Sequence, residues 1–241
     1  MGRVPYQGYF ERPDADAAAG ALDGRGYDVD VRPAAAFSTL GWFADPLLST
    51  TAAADPLRLA EIVIHELFHG TLYVPGATAF NESAATFVGH RGAVAFFCDG
   101  PGQDERRCVG ARAEWRHVRA HGRVLARYVR RLEARYARPS GRLMADRTAL
   151  ADAAAASLVR RGLGGSSDLV PPNNARLLAM TVYETDLDAF ERVGPTSAAL
   201  PQAIARIVAA ARGQAAPFEA VRRLVPGALQ TARAGLDSTT P

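Results

Sequence analysis

The sequence predicts an α+β fold, mostly helical, with a small N-terminal sheet packed on one particular helix. Three observations lead there. YQGYF at 6–10, YDVDV at 27–31 and AFSTLGWF at 36–43 each read as a short strand. From Pro56 onward apolar residues recur at helical spacing between short breaks rich in proline and glycine. The first of those helices carries HELFH at 65–69 and the next opens with Asn81-Glu82-Ser83, so the pair reads as the centre on which the sheet is laid.

In chain order, the strand at 6–10 precedes a helix from Pro13 to Leu22, which Asp14 or Asp16 could cap and which Gly24 and Gly26 end. YDVDV alternates apolar and acidic residues, the pattern of a half-buried strand. Asp55 followed by Pro56 is an N-cap with proline at the first helical position, and a helix over about 56–73 follows. Val74-Pro75-Gly76-Ala77 makes a turn, Thr78 is a candidate N-cap, and a second helix covers about 79–97. A long helix from Asp104 to Ala137 and an alanine-rich one over 142–161 form an antiparallel pair across Pro139-Ser140-Gly141. The loop at 162–172 leads to a helix over about 175–192; two more helices fill 198–225, and 230–241 reads as a frayed tail. The expected organisation is one catalytic domain, with the sheet and metal-binding helix pair in 1–97 and the helical part in 98–241.

The chemistry begins with spacing. Residues four apart on a helix share a face, so His65 and His69 present two imidazoles side by side, the HExxH arrangement. A catalytic zinc takes three protein ligands and leaves a position for water. Glu82 lies in the first turn of the next helix, and a short link makes the two helices antiparallel neighbours, so its carboxylate is the expected third ligand. Ala85, Thr86, Gly89 and Ala93, all small, line its face and permit close packing. Glu66 neighbours the first ligand and is the expected general base. Glu61, one turn before His65, and Asn81 are candidates for supporting the ligands, as is Asp45. Tyr73, His90, Asn173, Asn174 and Tyr183 are candidate donors to substrate or to the oxyanion, while Asn173 and Asn174 read equally as helix caps.

HELFHGTLYVPGATAFNESAATFVGHRG, preceded by FSTLGWFADPLLST and followed by NNARLLAMTVYETDLDAFE, resembles a bacterial zinc aminopeptidase family of gluzincin type over roughly residues 5 to 192. The resemblance implies a zincin-like fold, one zinc ion per chain, a peptide substrate, His65, His69 and Glu82 as ligands and Glu66 as the catalytic glutamate. It also implies that residues 38–43 form a sheet edge binding substrate in extended form. An aminopeptidase needs an acid to hold the substrate's free amine, for which Glu184 and Asp186 are candidates. The chain as given reads as soluble and its location is left open; members of that family often carry an additional N-terminal portion with an export or lipoprotein signal, and a signal region missing here would place the protein in the cell envelope or periplasm.

Composition bounds the rest. At 241 residues and 48% hydrophobic content the chain can bury a sizeable core, and no apolar run reaches the length of a membrane span. The net charge is +3, and all 28 basic residues are arginine. They crowd 106–142 at helical spacing with interspersed glutamate, which reads as a solvated face, so no nucleic-acid partner is expected. Cys98 and Cys108, the only cysteines, bracket a short loop and are either a disulfide of an oxidising compartment or two thiols of a reducing one. Two rival readings stand beside the peptidase: a zinc-binding pseudoenzyme or non-peptidase zinc hydrolase, and an interaction protein working through its arginine-rich helices.

Overall fold

Helix punctuation written in the sequence sets most of the architecture. The structure, a computed structural model, describes residues 7–33, 54–138, 140–164, 169–170 and 172–225. Among them the order is α1 (Arg12–Asp23), α2 (Pro56–Thr71), α3 (Thr78–Cys98), α4 (Glu105–Tyr136), α5 (Leu143–Arg160), α6 (Asn174–Glu184), α7 (Leu187–Val193), α8 (Leu200–Ala211) and α9 (Pro217–Arg223). None of them is long and apolar enough to cross a membrane.

The expected α+β class is corrected to an all-helical one, for there is no strand among the described residues. Residues 7–10 and 27–31 are irregular, and the third expected strand, at 36–43, lies outside the described residues, as do Asp45 and the tail at 230–241. The reason is visible at 28–31, where acidic and apolar residues are half-buried alike, unlike the alternation of a strand with one wet face. Asp28 accepts from the Asn174 backbone N–H at 2.8 Å and from Arg147 at 2.7 Å, and Asn173 Nδ2 donates to the Val29 carbonyl at 2.9 Å. Side chains and a helix N-terminus therefore take the polar groups for which a neighbouring strand would have competed.

The chain divides into two compact units, one drawn from 35–115 and 186–241, the other from 2–34 and 116–185. In the first, α3 is the central helix: 14 of its 21 residues are buried, around its whole circumference, so other helices pack on every side of it. Phe80 meets Phe190 and Phe218 at ring separations of 5.7 and 5.2 Å, and Phe87 stacks on Phe190 at 5.8 Å, which fastens α3 to α7 and α9. In the second unit, Ala151, Ala154, Ala155 and Leu158 of α5 pack against Leu125, Tyr128 and Leu132 of α4 and Leu177 of α6. The alanines bring the helices of the expected antiparallel pair close together.

The single helix expected over 175–192 is two, α6 and α7, divided at Thr185-Asp186. Asp186 adopts the left-handed conformation, φ 59°, which aspartate tolerates better than most residues, and its carboxylate pairs with Arg222 at 2.6 Å. Cys98 and Cys108 form a disulfide joining the end of α3 to the start of α4. Cys98→Ser with Cys108→Ser should lower the unfolding free energy by about 2–3 kcal/mol, the loop-closure value for so short a ring, read by urea titration. An unchanged midpoint would show that the helix ends hold together without the bond.

Candidate metal centre

The centre is assembled by two helices whose ends the sequence fixes locally. Asp55 caps α2, accepting from the backbone N–H groups of Leu57 at 2.9 Å and Arg58 at 3.4 Å, with Pro56 at the first helical position as expected. At the other end α2 stops at Thr71, and a turn through Gly76, φ 78°, reverses the chain into α3. Asn81 closes that turn: its side chain accepts from Val74 N and donates to Val74 O, both at 2.9 Å, inside the protein. Asn81 thus anchors the turn to the first turn of α3, one residue before Glu82.

Small residues set the approach of the two helices. A Cβ at Gly89 would lie 2.7 Å from the Glu61 carbonyl oxygen and 3.2 Å from His65 Cβ, and one at Gly92 would lie 2.8 Å from the Ile64 side chain. Gly89 was legible as part of the small face; Gly92 extends it. Gly89→Ala should therefore force α3 away from the helix carrying both histidines, costing about 1–3 kcal/mol of stability, as overpacking does. A melting temperature within experimental error of the parent would contradict that close approach.

His65, His69 and Glu82 converge. His65 Nε2 lies 3.2 Å from Glu82 Oε2 and 3.2 Å from His69 Nε2, and His69 Nε2 lies 3.5 Å from the same carboxylate oxygen. The three residues form a group that could hold a metal ion. These separations match the ligand-to-ligand edge of about 3.3 Å of a tetrahedral zinc with bonds of about 2.0–2.1 Å. Two imidazole nitrogens facing each other at 3.2 Å need a proton or a cation between them, and one cation serves both and the carboxylate together. The donor set, two imidazoles and a carboxylate, is that of a hydrolytic zinc site.

The electrostatics agree with this arrangement. Burial opposes ionisation of Glu82, but the hydrogen bonds and charges of His65 and His69 outweigh it and hold the carboxyl at about 2. Burial likewise favours neutral His69, yet the hydrogen bond and charge of Glu82, with the charge of Glu66, raise its pKa. Glu66 is half-buried, and its charge is felt at His69. The Nδ1 of His69 is buried without a hydrogen-bond partner among the described residues.

The other sequence-derived candidates are placed as follows. Glu61 is buried, and its two carboxylate oxygens bond His90 Nδ1 at 2.8 Å and Arg58 at 3.3 Å. Tyr73 is 44% exposed just beyond the end of α2. Asn173, Asn174 and Tyr183 belong to the second unit. Asn173 caps α6, accepting from Arg176 N at 2.9 Å, while its Nδ2 donates to Val29; the Asn174 side chain bonds the Tyr136 hydroxyl at 2.8 Å. Both amides thus do the work of a helix cap and its tether. Tyr183 is half-buried on α6. Of the two acids considered for a substrate amine, Glu184 bonds His121 Nδ1 at 2.7 Å and Asp186 is paired with Arg222.

The pairing of Glu61 with His90 was not anticipated, although the antiparallel register contains it. Moving eight residues back from His69 along α2 and eight forward from Glu82 along α3 reaches these two side chains.

Neither a curated protein nor a solved structure matches the chain at a significant level. A family model described as "putative aminopeptidase" matches residues 1–212, and the chain belongs to that family.

Proposed function

We propose that this protein is a zinc-dependent aminopeptidase of gluzincin type, with His65, His69 and Glu82 holding one zinc ion and Glu66 acting as general base. The observation that carries the reading is the convergence of two Nε2 atoms and one carboxylate oxygen at 3.2–3.5 Å, on helices whose packing is fixed independently. Membership of a family described as aminopeptidases agrees with it. When bound, zinc supplies the Lewis acidity that polarises a peptide carbonyl and makes water a nucleophile near neutral pH.

The chain supplies the rest. Glu82, ionised down to about pH 2, contributes the negative charge that a divalent cation requires and orients both imidazoles through their Nε2 atoms. Glu66, on the same helix and next to the first ligand, takes a proton from the attacking water and returns it to the leaving amine. Its place on a helix capped at Asp55 keeps it at a fixed distance from the imidazoles.

Protons compete for this site. Because the His69 pKa is raised in the metal-free protein, its proton is held more tightly than on an ordinary imidazole, and zinc must displace it. Apparent zinc affinity should therefore begin to fall, on acidification, above the usual histidine range near 6.5. Zinc dissociation constants from pH 8 to pH 5 test this; an affinity independent of pH across that window would exclude His69 from the ligand set.

The direct test of the function is hydrolysis of a peptide library by the zinc-loaded protein, with free and with N-acetylated amino termini, before and after chelation. Release of single N-terminal residues from free peptides only, abolished by chelation and restored by zinc, is the expected result. Cleavage that survives chelation would overturn the metal mechanism, and cleavage of acetylated peptides would make the enzyme an endopeptidase. Failure to cleave any peptide despite stoichiometric zinc would favour the zinc-binding pseudoenzyme.

A further inference from the structure

The polar ties between α2 and α3 include two that are built differently. One is the His65, His69 and Glu82 group. The other is the pair Glu61 and His90, joined at 2.8 Å between Oε1 and Nδ1 and exposed by only 4% and 6%. Nothing in the hydrolytic scheme uses the second tie. It is nonetheless firmly built. The His90 ring stacks on the Trp115 indole at 5.6 Å with an interplanar angle of 25°, and Trp115 Nε1 donates to Glu191 at 2.8 Å, which fixes the surface the imidazole rests on. The second oxygen of Glu61 is held by Arg58 at 3.3 Å.

Position gives this tie its meaning. Glu61 precedes His65 by one turn and shares its face, and between the two residues the backbone of α3 at Gly89 lies directly against α2. Anchoring Glu61 therefore fixes both the rotation of α2 about its axis and its slide along α3, the two movements that would separate the imidazoles from Glu82. A buried apolar pair would pack as well but would specify neither, since dispersion contacts carry no direction while a hydrogen bond does.

We propose that Glu61 and His90 are positioning residues of the metal centre: a clamp independent of the ion that holds α2 against α3 so that His65, His69 and Glu82 converge before zinc arrives. This rests on the reading of that group as a zinc site. Metal sites depend on support beyond their ligands, because an error of about 0.5 Å in placement is already felt.

The test compares the full chain with Glu61→Met/His90→Phe, which replaces the pair by apolar groups of similar volume, and with Glu61→Gln, whose amide oxygen still accepts from His90. Three quantities are measured: the zinc dissociation constant by chelator competition, the visible spectrum of the cobalt-substituted protein, and the thermal midpoint without metal. Replacing a buried polar pair by well-packed apolar residues commonly leaves stability unchanged or raised, so the double variant should fold with a midpoint at or above the parent's. It should bind zinc about 10- to 100-fold more weakly and shift the cobalt bands, whereas Glu61→Gln should stay within about threefold of the parent. A folded double variant with parental affinity and spectrum would overturn the proposal. So would a double variant that does not fold, since the pair would then serve stability and not placement. A parent chain that takes up no zinc would instead remove the metal reading itself, before any variant is compared.

Discussion

Glu66→Gln should abolish turnover while leaving zinc in place. Glu66 is not among the three converging residues that could hold a metal ion, so replacing its carboxylate by an amide of the same shape leaves the His65, His69 and Glu82 group intact. What disappears is the proposed proton acceptor. General base catalysis contributes about 10²- to 10⁴-fold, and kcat should fall by that factor with little change in KM, because the amide still fills the same volume. Zinc content by elemental analysis and peptide cleavage on the same preparation decide the matter. A variant that cleaves at the parental rate takes Glu66 out of the base role, and one that has lost its metal makes the residue a ligand or a structural support.

Removal of a proposed ligand should have the opposite signature, loss of metal first and of activity as its consequence. Glu82→Ala leaves two imidazoles facing each other at 3.2 Å without the carboxylate that bridges them, and His65→Ala leaves one imidazole and one carboxylate. Either variant should emerge from dialysis without stoichiometric zinc. The thermal upshift given by added zinc, worth about 2.7 kcal/mol at a hundredfold excess over Kd, should vanish with it. Glu82→Gln separates charge from shape and should bind zinc more weakly than the parent but better than Glu82→Ala. Undiminished zinc affinity in Glu82→Ala would leave the third ligand to be found elsewhere.

What the sequence made legible was local or carried by spacing. Asp55-Pro56 announces the start of α2 because a cap needs only residues two or three positions away. His65 and His69 share a face whatever the tertiary fold, and the short turn after Thr71 makes α3 antiparallel, which brings Glu82 to them. The small face of α3 reappears as the contact at Gly89. The sheet was misread because YDVDV carries strand periodicity, while the partners that claim its groups, Arg147, Asn173 and Asn174, lie more than a hundred residues away. The division between α6 and α7 was missed for a related reason: Thr185-Asp186 contains neither proline nor glycine, and the left-handed turn rests on aspartate and on its pairing with Arg222. The bond of Glu61 to His90 was missed, since a residue one turn from a histidine suggests a local partner, whereas tertiary packing supplied one on α3.

On the proposed function, two imidazoles and one carboxylate hold a single zinc and leave it open to water. X-ray absorption at the zinc edge of the loaded protein tests this most directly. The expected spectrum shows two imidazole nitrogens with their outer-ring scattering and light oxygen neighbours at about 2.0–2.2 Å, one from Glu82 and at least one exchangeable with solvent. A sulfur neighbour, a third imidazole, or a shell closed entirely by protein atoms would contradict it.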